Sequence, residues 1–325
     1  MRVLVSGGAG FIGSHVVDRL LASGYEPRIF DLVPSRHHDG AVDTVIGDLM
    51  DEEAVRAAVR DCQAVVHLAA VSDVNEVVAD PSYAEMVNVR GTKILLEVAR
   101  QGIPRVLYAS TIWVYGNSNG AGPVDEETLL PLPNHFYTAT KLAGEMYCRA
   151  YGQLYGLNHT ILRFGIPYGP RSRPAAVIAA FVNQALIGKP LTIAGDGTQT
   201  RRFVYVEDLA EGIVAALRPT AEGRIYNLVG SESISVQTIA ATVRDLVGSV
   251  PIVHVPSRPG DLHGAEVSGR RASQELGWRP AMPFVEGVQR YIAWVTETNS
   301  ASRSVAAPPD GEAASAPGGA AVVRQ

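Results

Sequence analysis

The sequence predicts an α/β fold: a doubly wound parallel sheet followed by a smaller C-terminal α/β substrate-binding lobe. Short β-branched runs, "RVLVSG", "EPRIFDL", "DTVIGDL", "AVVHLAA", "RVLYAS" and "HTILRFG", alternate with amphipathic segments. That is the rhythm of strand-helix-strand units whose parallel strands are covered on both faces. A glycine-rich turn, "SGGAGFIG", joins the first strand to the first helix, as a phosphate-binding crossover requires. After residue 166 the rhythm loosens into Pro- and Gly-punctuated segments, then returns at "RFVYVEDLAEGIVAAL" and "IYNLVG" before the helix "VQTIAATVRDLVG". A lobe built from these segments would cap the strand ends, where doubly wound sheets bind their ligands. The expected division is residues 1–165 with 204–230 in the sheet domain, 166–203 and 231–298 in the lobe, and an Ala-, Pro-, Gly- and Ser-rich disordered tail over 299–325.

Composition excludes several functions. The 28 basic and 33 acidic residues among 325 leave a net charge of -5, so no cationic surface draws the chain to nucleic acid or to a membrane. Small molecules are the expected partners. The only two cysteines, Cys62 and Cys148, have neither metal-site nor redox-pair spacing and are expected to be free thiols. His37 and His38 are adjacent but lack a carboxylate or Cys at ligand spacing, so no metal is expected. With no leader ahead of "MRVLVSG" and no run of eighteen apolar residues, the expected location is cytoplasmic.

The glycine turn carries the first chemistry. Gly8, Gly10 and Gly13 fit G-x-G-x-x-G, and Gly7, Gly10 and Gly13 fit G-x-x-G-x-x-G. Glycines permit the tight turn and the approach of backbone to a pyrophosphate, and the following helix N-terminus offers unpaired N–H groups. Asp31 follows eighteen residues after Gly13, at the end of the second strand, where a carboxylate takes the hydroxyls of an adenosine ribose. It would repel a 2′-phosphate, and Leu32 and Val33 come next rather than Arg, so NAD is favoured over NADP. Asp48 in "GDL" has two readings, a contact to the adenine amino group or the N-cap of the helix in "MDEEAVRAAV".

The second chemistry is "YTATK". Tyr137 and Lys141, four residues apart, share one helix face, and an ammonium nearby lowers the pKa of a phenol. Spacing alone does not separate this from a chance surface pair. Ser110 and Thr111 end the fifth strand in "STIWVYG", where one hydroxyl can bond the oxygen that Tyr137 deprotonates. His135 precedes the pair, either lining a pocket or solvated, and His67 in "HLAA" reads as a packing residue at a strand end.

Together "GGAGFIG", Asp31, "GDL", "HLAA", "NVRGT", "ASTIWVYG", "YTATK", "RFGIPYGPR", "GDGTQTRRFVYVEDLA", "RPGD" and "LGWRP" resemble the extended short-chain dehydrogenase/reductases, and within them the nucleotide-sugar epimerases and dehydratases, over residues 1 to about 296. The resemblance implies a Rossmann domain binding NAD, a lobe binding a nucleotide diphosphate sugar, and a homodimer. Carried over residue by residue, it implies that Thr111, Tyr137 and Lys141 are catalytic, Lys141 also orienting the nicotinamide ribose. It places Gly7, Gly10, Phe11, Ile12, Gly13, Asp31, Asp48, Leu49, Leu68, Ala69 and Ala70 around the cofactor with Tyr137 and Lys141. It places Ser110, Thr111, Arg173, Arg201 and Arg258 at the substrate, the last two as clamps on the diphosphate, a task suited to guanidinium forks.

Within that family the residues after Thr111 choose the reaction. Dehydratases carry an Asp-Glu pair there and decarboxylases a Glu nearby, whereas this chain has Ile112 and Trp113, which exchange no protons. A 4-epimerase of a UDP-hexose is therefore the favoured reading. A dehydratase, decarboxylase or 4-ketoreductase remains an alternative, as does a non-catalytic NAD sensor. Ile166 replaces the usual polar contact to a galactose-type sugar, Arg202 stands where Asp is usual, and Arg173 suits a C6 carboxylate, which keeps a UDP-uronate 4-epimerase open.

Overall fold

The structure is a computed structural model that describes residues 1–116, 122–256 and 264–306, with side chains described through residue 300. Strands β1 (Arg2–Ser6), β2 (Glu26–Asp31), β3 (Asp43–Ile46), β4 (Ala64–His67), β5 (Val106–Thr111) and β6 (His159–Phe164) arise from the six apolar runs of the N-terminal half. Between and after them lie helices α1 (Phe11–Ala22), α2 (Glu52–Val59), α3 (Val74–Ala79), α4 (Pro81–Glu85), α5 (Thr92–Ala99) and α6 (Phe136–Tyr155). The C-terminal part supplies strands β7 (Ile166–Tyr168), β8 (Leu191–Ala194), β9 (Thr200–Arg201), β10 (Phe203–Tyr205), β11 (Ile225–Leu228), β12 (Ile234–Ser235) and β13 (Ile252–Val255). It also supplies helices α7 (Val177–Leu186), α8 (Val206–Ala215), α9 (Val236–Val247) and α10 (Phe284–Ala306).

Seven strands form one parallel sheet in the order β11-β6-β5-β4-β1-β2-β3. The order reverses between β1 and β4, which opens a crevice at their carboxyl ends. Both faces are covered, so β4 and β5 are buried at every residue and read as continuous apolar runs rather than alternating ones. One face packs Val16, Val17 and Leu20 of α1 against Leu209, Ile213 and Leu217, and Trp278 closes that layer, donating its indole N–H to Asp208 O at 2.8 Å. The other packs Leu95 and Leu96 of α5 and Tyr151 of α6 over Leu4, Val65 and Tyr108.

Beyond β6 the chain builds three two-stranded ladders, β7 with β10, β8 with β13 and β9 with β12. Their core centres on Tyr168, whose ring meets Phe203, Tyr205 and Phe284 with centroids 5.5 to 6.3 Å apart. Strand β11 returns from this region to the edge of the main sheet beside β6.

The chain departs from expectation at its C-terminal side. Helix α10 runs through Asn299 to Ala306, because no Gly or Pro interrupts it between Gly287 and Pro308 and its residues are tolerable helix formers. The hydroxyls of Thr296, Thr298 and Ser300 each donate to a carbonyl one turn back. Residues 307–325 lie outside the described residues. Among the described residues no helix is long and apolar enough to cross a membrane.

Helix α6 approaches β5 unusually closely, because Gly144 carries no side chain: a Cβ there would sit 2.1 Å from the Tyr108 phenol oxygen. Gly144→Ala is expected to lower stability by about 1–3 kcal/mol through overpacking, seen as an earlier midpoint in urea denaturation at unchanged slope.

Candidate active site

A cleft of about 850 Å3 opens at the carboxyl ends of the sheet strands, at the point where strand order reverses. Gly7, Gly10, Phe11, Ile12, Gly13, Asp31, Asp48, Leu49, Leu68, Ala69 and Ala70 line one end of it. Ser110, Thr111, Tyr137, Lys141 and Arg173 line the other, with Trp113, Ile166 and Phe203.

The glycine turn has the shape of a phosphate cradle. Gly7 has φ +74°, and a Cβ on it would lie 2.8 Å from Ala69 N. A Cβ on Gly13 would lie 2.1 Å from Gly7 O, so only glycine lets α1 start against the end of β1. No side chain caps α1 at Gly10, which leaves the amides of its first turn for an anion in the cleft. Asp31 braces the turn, accepting from Ala9 N at 3.0 Å while still lining the cleft. Asp48 also lines the cleft, but it does not cap α2. The cap is Asp51, whose carboxylate accepts from Glu53 N and Ala54 N, and Asp48 instead closes its own turn on Met50 N at 2.9 Å.

At the other end, α6 starts at His135, whose Nδ1 accepts from Tyr137 N at 3.2 Å. Thr111 ends β5 and caps the short 3₁₀ turn Ile112–Tyr115, accepting from Trp113 N at 3.2 Å. Thr111 also lines the cleft. Lys141 is buried and donates to Ala109 O at 2.9 Å, with its ammonium 5.2 Å from the centre of the Tyr108 ring. The Trp113 indole meets both Tyr137 and His135 edge to face, at 6.3 and 5.9 Å between centroids.

The electrostatics differ from the expectation drawn from spacing. Burial pushes the Tyr137 phenol up to about 12, opposed by Arg173 rather than by Lys141. Burial likewise pulls the Lys141 ammonium down to about 8. Facing β5, Lys141 donates to a backbone carbonyl, and it is not among the groups that shift the Tyr137 phenol. His67 is held neutral, its pKa lowered to about 3 by burial, between the Ser6 and Thr92 hydroxyls. It is the packing residue its context suggested.

Three substrate candidates need correction or qualification. Ser110 lines the cleft, but its hydroxyl donates to Glu145 at 2.5 Å and is 3% exposed as a residue, so it points inward. Arg201 lies in β9 outside the described cleft lining. Pairing with β12 sets its direction, and it donates to Thr200 O at 2.8 Å. Arg258 lies outside the described residues. Arg173 does reach the cleft, where it pairs with Asp73 at 3.3 Å across its mouth.

Sequence reasoning missed two residues here. Asp73 caps α3 and holds Arg173. Asn88, in "NVRGT", clasps the backbone of Val71 at the cleft wall, accepting from its N–H at 2.8 Å and donating to its carbonyl at 2.9 Å. Its signal was the motif itself, which carries no role until the fold brings Val71 opposite.

Residues 3–229 match the NAD dependent epimerase/dehydratase family. The chain belongs to that family. A UDP-glucose 4-epimerase of Mycolicibacterium smegmatis is 34% identical over 310 residues, covering 90% of this chain and 97% of that one. The structure of a Thermus thermophilus UDP-glucose 4-epimerase in complex with NAD superposes with TM-score 0.84 at 38% identity, covering 91% of this chain and 99% of that one. A dTDP-glucose 4,6-dehydratase from Streptomyces venezuelae, with NAD bound, superposes with TM-score 0.85 at 33% identity, covering 92% and 98%. In this member of the NAD dependent epimerase/dehydratase family the cofactor is NAD, and the cleft fits it. The side-chain-free glycine turn and the unpaired amides of α1 suit the pyrophosphate, and Asp31 suits the ribose hydroxyls.

In NAD-stripped protein Tyr137 should ionise only near pH 12. It should be neutral well below that pH, and an added cationic group in the cleft should move its ionisation downward. Ultraviolet difference titration of wild type against Tyr137→Phe, with and without NAD, measures this; ionisation near the ordinary tyrosine value in the stripped protein would contradict it.

Proposed function

We propose that the protein is an NAD-dependent nucleotide diphosphate sugar 4-epimerase acting on a UDP-hexose through a transient 4-keto sugar. The observation that carries this is the pair after Thr111. Ile112 is buried in an apolar cluster with Val114 and Val124, and Trp113 stands against the Tyr137 ring in the cleft. Loss of water from C5 and C6 needs a base and an acid at those positions, and neither side chain can move a proton. Epimerisation needs only one proton-transfer centre at the C4 oxygen and a hydride that leaves one face and returns to the other.

Tyr137 takes the proton of the C4 hydroxyl and returns it at the end of the cycle, while Thr111 donates a hydrogen bond to the same oxygen. Lys141 and the first turn of α1 would hold the cofactor, with Asp31 at its ribose. NAD, when bound, would supply the hydride acceptor and donor and a cationic ring, an opposite charge of the kind that favours phenolate. Val71, Ile166 and Phe203 line the cleft in which the ketone would form.

For the sugar, the Arg173–Asp73 pair supports a neutral hexose. The guanidinium already has a carboxylate partner, and a uronate would have to displace it. A UDP-uronate 4-epimerase is the second reading, favoured by the same Arg173 should its pair with Asp73 open. The exposed apolar stripe Met146, Ala150 and Leu154 along α6 supports a homodimer; sedimentation velocity tests it, and a single species with the mass of one chain rejects it.

Purified protein incubated separately with UDP-glucose, UDP-N-acetylglucosamine and UDP-glucuronate should interconvert the C4 epimers of the first without net NADH release. Tyr137→Phe should lower that turnover by about 100-fold or more. Stoichiometric NADH in solution, or a product lighter by one water, would overturn the reading.

A further inference from the structure

Three consecutive residues at the end of β5 are bonded to α6. The Tyr108 phenol donates to Lys141 O at 3.3 Å, Lys141 Nζ donates to Ala109 O at 2.9 Å, and the Ser110 hydroxyl donates to Glu145 at 2.5 Å. The next residue is Thr111, which lines the cleft and has no hydrogen bond to α6 among those seen along this seam. The approach is close because Gly144, beside Glu145, has no Cβ to keep Tyr108 away.

Among the described residues, Glu145 is the one charged side chain besides Lys141 that α6 brings to this seam, and it is 1% exposed. A buried carboxylate is tolerated only when its oxygens are fully satisfied. Here Arg163, on β6 opposite Ser110 in register, supplies Nε at 3.0 Å and Nη2 at 2.8 Å. The third arm of the same guanidinium, Nη1, donates to the Tyr115 hydroxyl at 2.8 Å, and Tyr115 donates on to Asn227 of β11 at 2.9 Å. One carboxylate thus connects the helix that carries Tyr137 and Lys141, the strand that ends in Thr111, and the turn that carries Trp113.

We propose that Glu145, paired with Arg163, is the positioning residue of the active site: it draws the Ser110 hydroxyl away from the cleft and locks α6 to the end of β5, so that Thr111 alone of the two hydroxyls meets the substrate oxygen. This rests on the reading of Thr111 and Tyr137 given above. It assigns a purpose to a buried ion pair that touches neither sugar nor cofactor, and explains why two adjacent hydroxyls have different fates. A reacting group displaced by about 1 Å loses on the order of 100-fold in rate, so a rigid seam is what this chemistry requires.

The test uses full-length, NAD-loaded protein with Ser110→Ala, Thr111→Ala, Glu145→Gln and Glu145→Asp. Hydrogen–deuterium exchange needs no turnover. Ser110→Ala should speed exchange at residues 111–115 by about tenfold or more as the seam opens locally, and unchanged exchange there overturns the proposal. Steady-state kinetics on the nucleotide sugar that the wild type turns over gives the second readout. Ser110→Ala should lower kcat roughly 3- to 30-fold at unaltered KM, and Thr111→Ala should cost more. A raised KM with kcat retained in Ser110→Ala, or the reverse order of the two losses, overturns the proposal by placing Ser110 on the substrate. Glu145→Gln should lose about 100-fold in kcat, and Glu145→Asp, which keeps the charge on Arg163, should recover part of it. If Glu145→Gln fails to fold, Ser110→Ala still decides, since it leaves the Arg163 pair intact. Wild type that holds NAD yet turns over no sugar defeats the epimerase reading, and exchange in Ser110→Ala then judges the seam by itself.

Discussion

The close seam between α6 and β5 is the constraint on which the candidate site depends. Packing at that distance requires a glycine at 144, and every polar group trapped between the two elements must find a partner there. Tyr108, Lys141, Ser110 and Glu145 satisfy one another and the backbone along it. Tyr137 and Thr111 lie on the two elements that this seam joins, and both line the cleft. The glycine turn at β1 performs the matching task at the far side of the cleft, where Gly13 lets a helix begin within contact of the strand it follows. Both ends of the cleft are therefore fixed by missing side chains as much as by present ones.

Most of the fold was legible because its signals are local. Six apolar runs became six parallel strands, and the glycine spacing placed the phosphate cradle, since backbone sterics at Gly7 and Gly13 leave few alternatives. What escaped depends on pairing distant in sequence. Arg201 points where its ladder with Ile234 sends it, and Ser110 goes to a carboxylate 35 residues further along the chain. Only the family resemblance separates the two hydroxyls of "STIWVYG" until Glu145 is opposite one of them. The helix past Asn299 was missed because composition reads small residues as disorder, while Ala and Ser without an intervening Gly or Pro also continue an existing helix.

The electrostatics carry a similar lesson. Four-residue spacing puts Tyr137 and Lys141 on one helix face, but burial acts on both in the direction that suppresses charge, raising the phenol and lowering the ammonium. Lys141 donates one of its three N–H bonds to Ala109 O, and Arg173 is the cation that opposes the rise at Tyr137. Burial thus favours the neutral phenol at Tyr137, and Arg173 opposes it.

The claim that Ile112 and Trp113 restrict the chemistry to C4 is tested most directly by turnover of UDP-glucose in deuterium oxide with mass analysis of the sugar nucleotide. The account predicts UDP-galactose with no carbon-bound deuterium, because the hydride leaves and returns without meeting solvent and no C5 proton is removed. Deuterium fixed at C5 or C6, with loss of water, would contradict it.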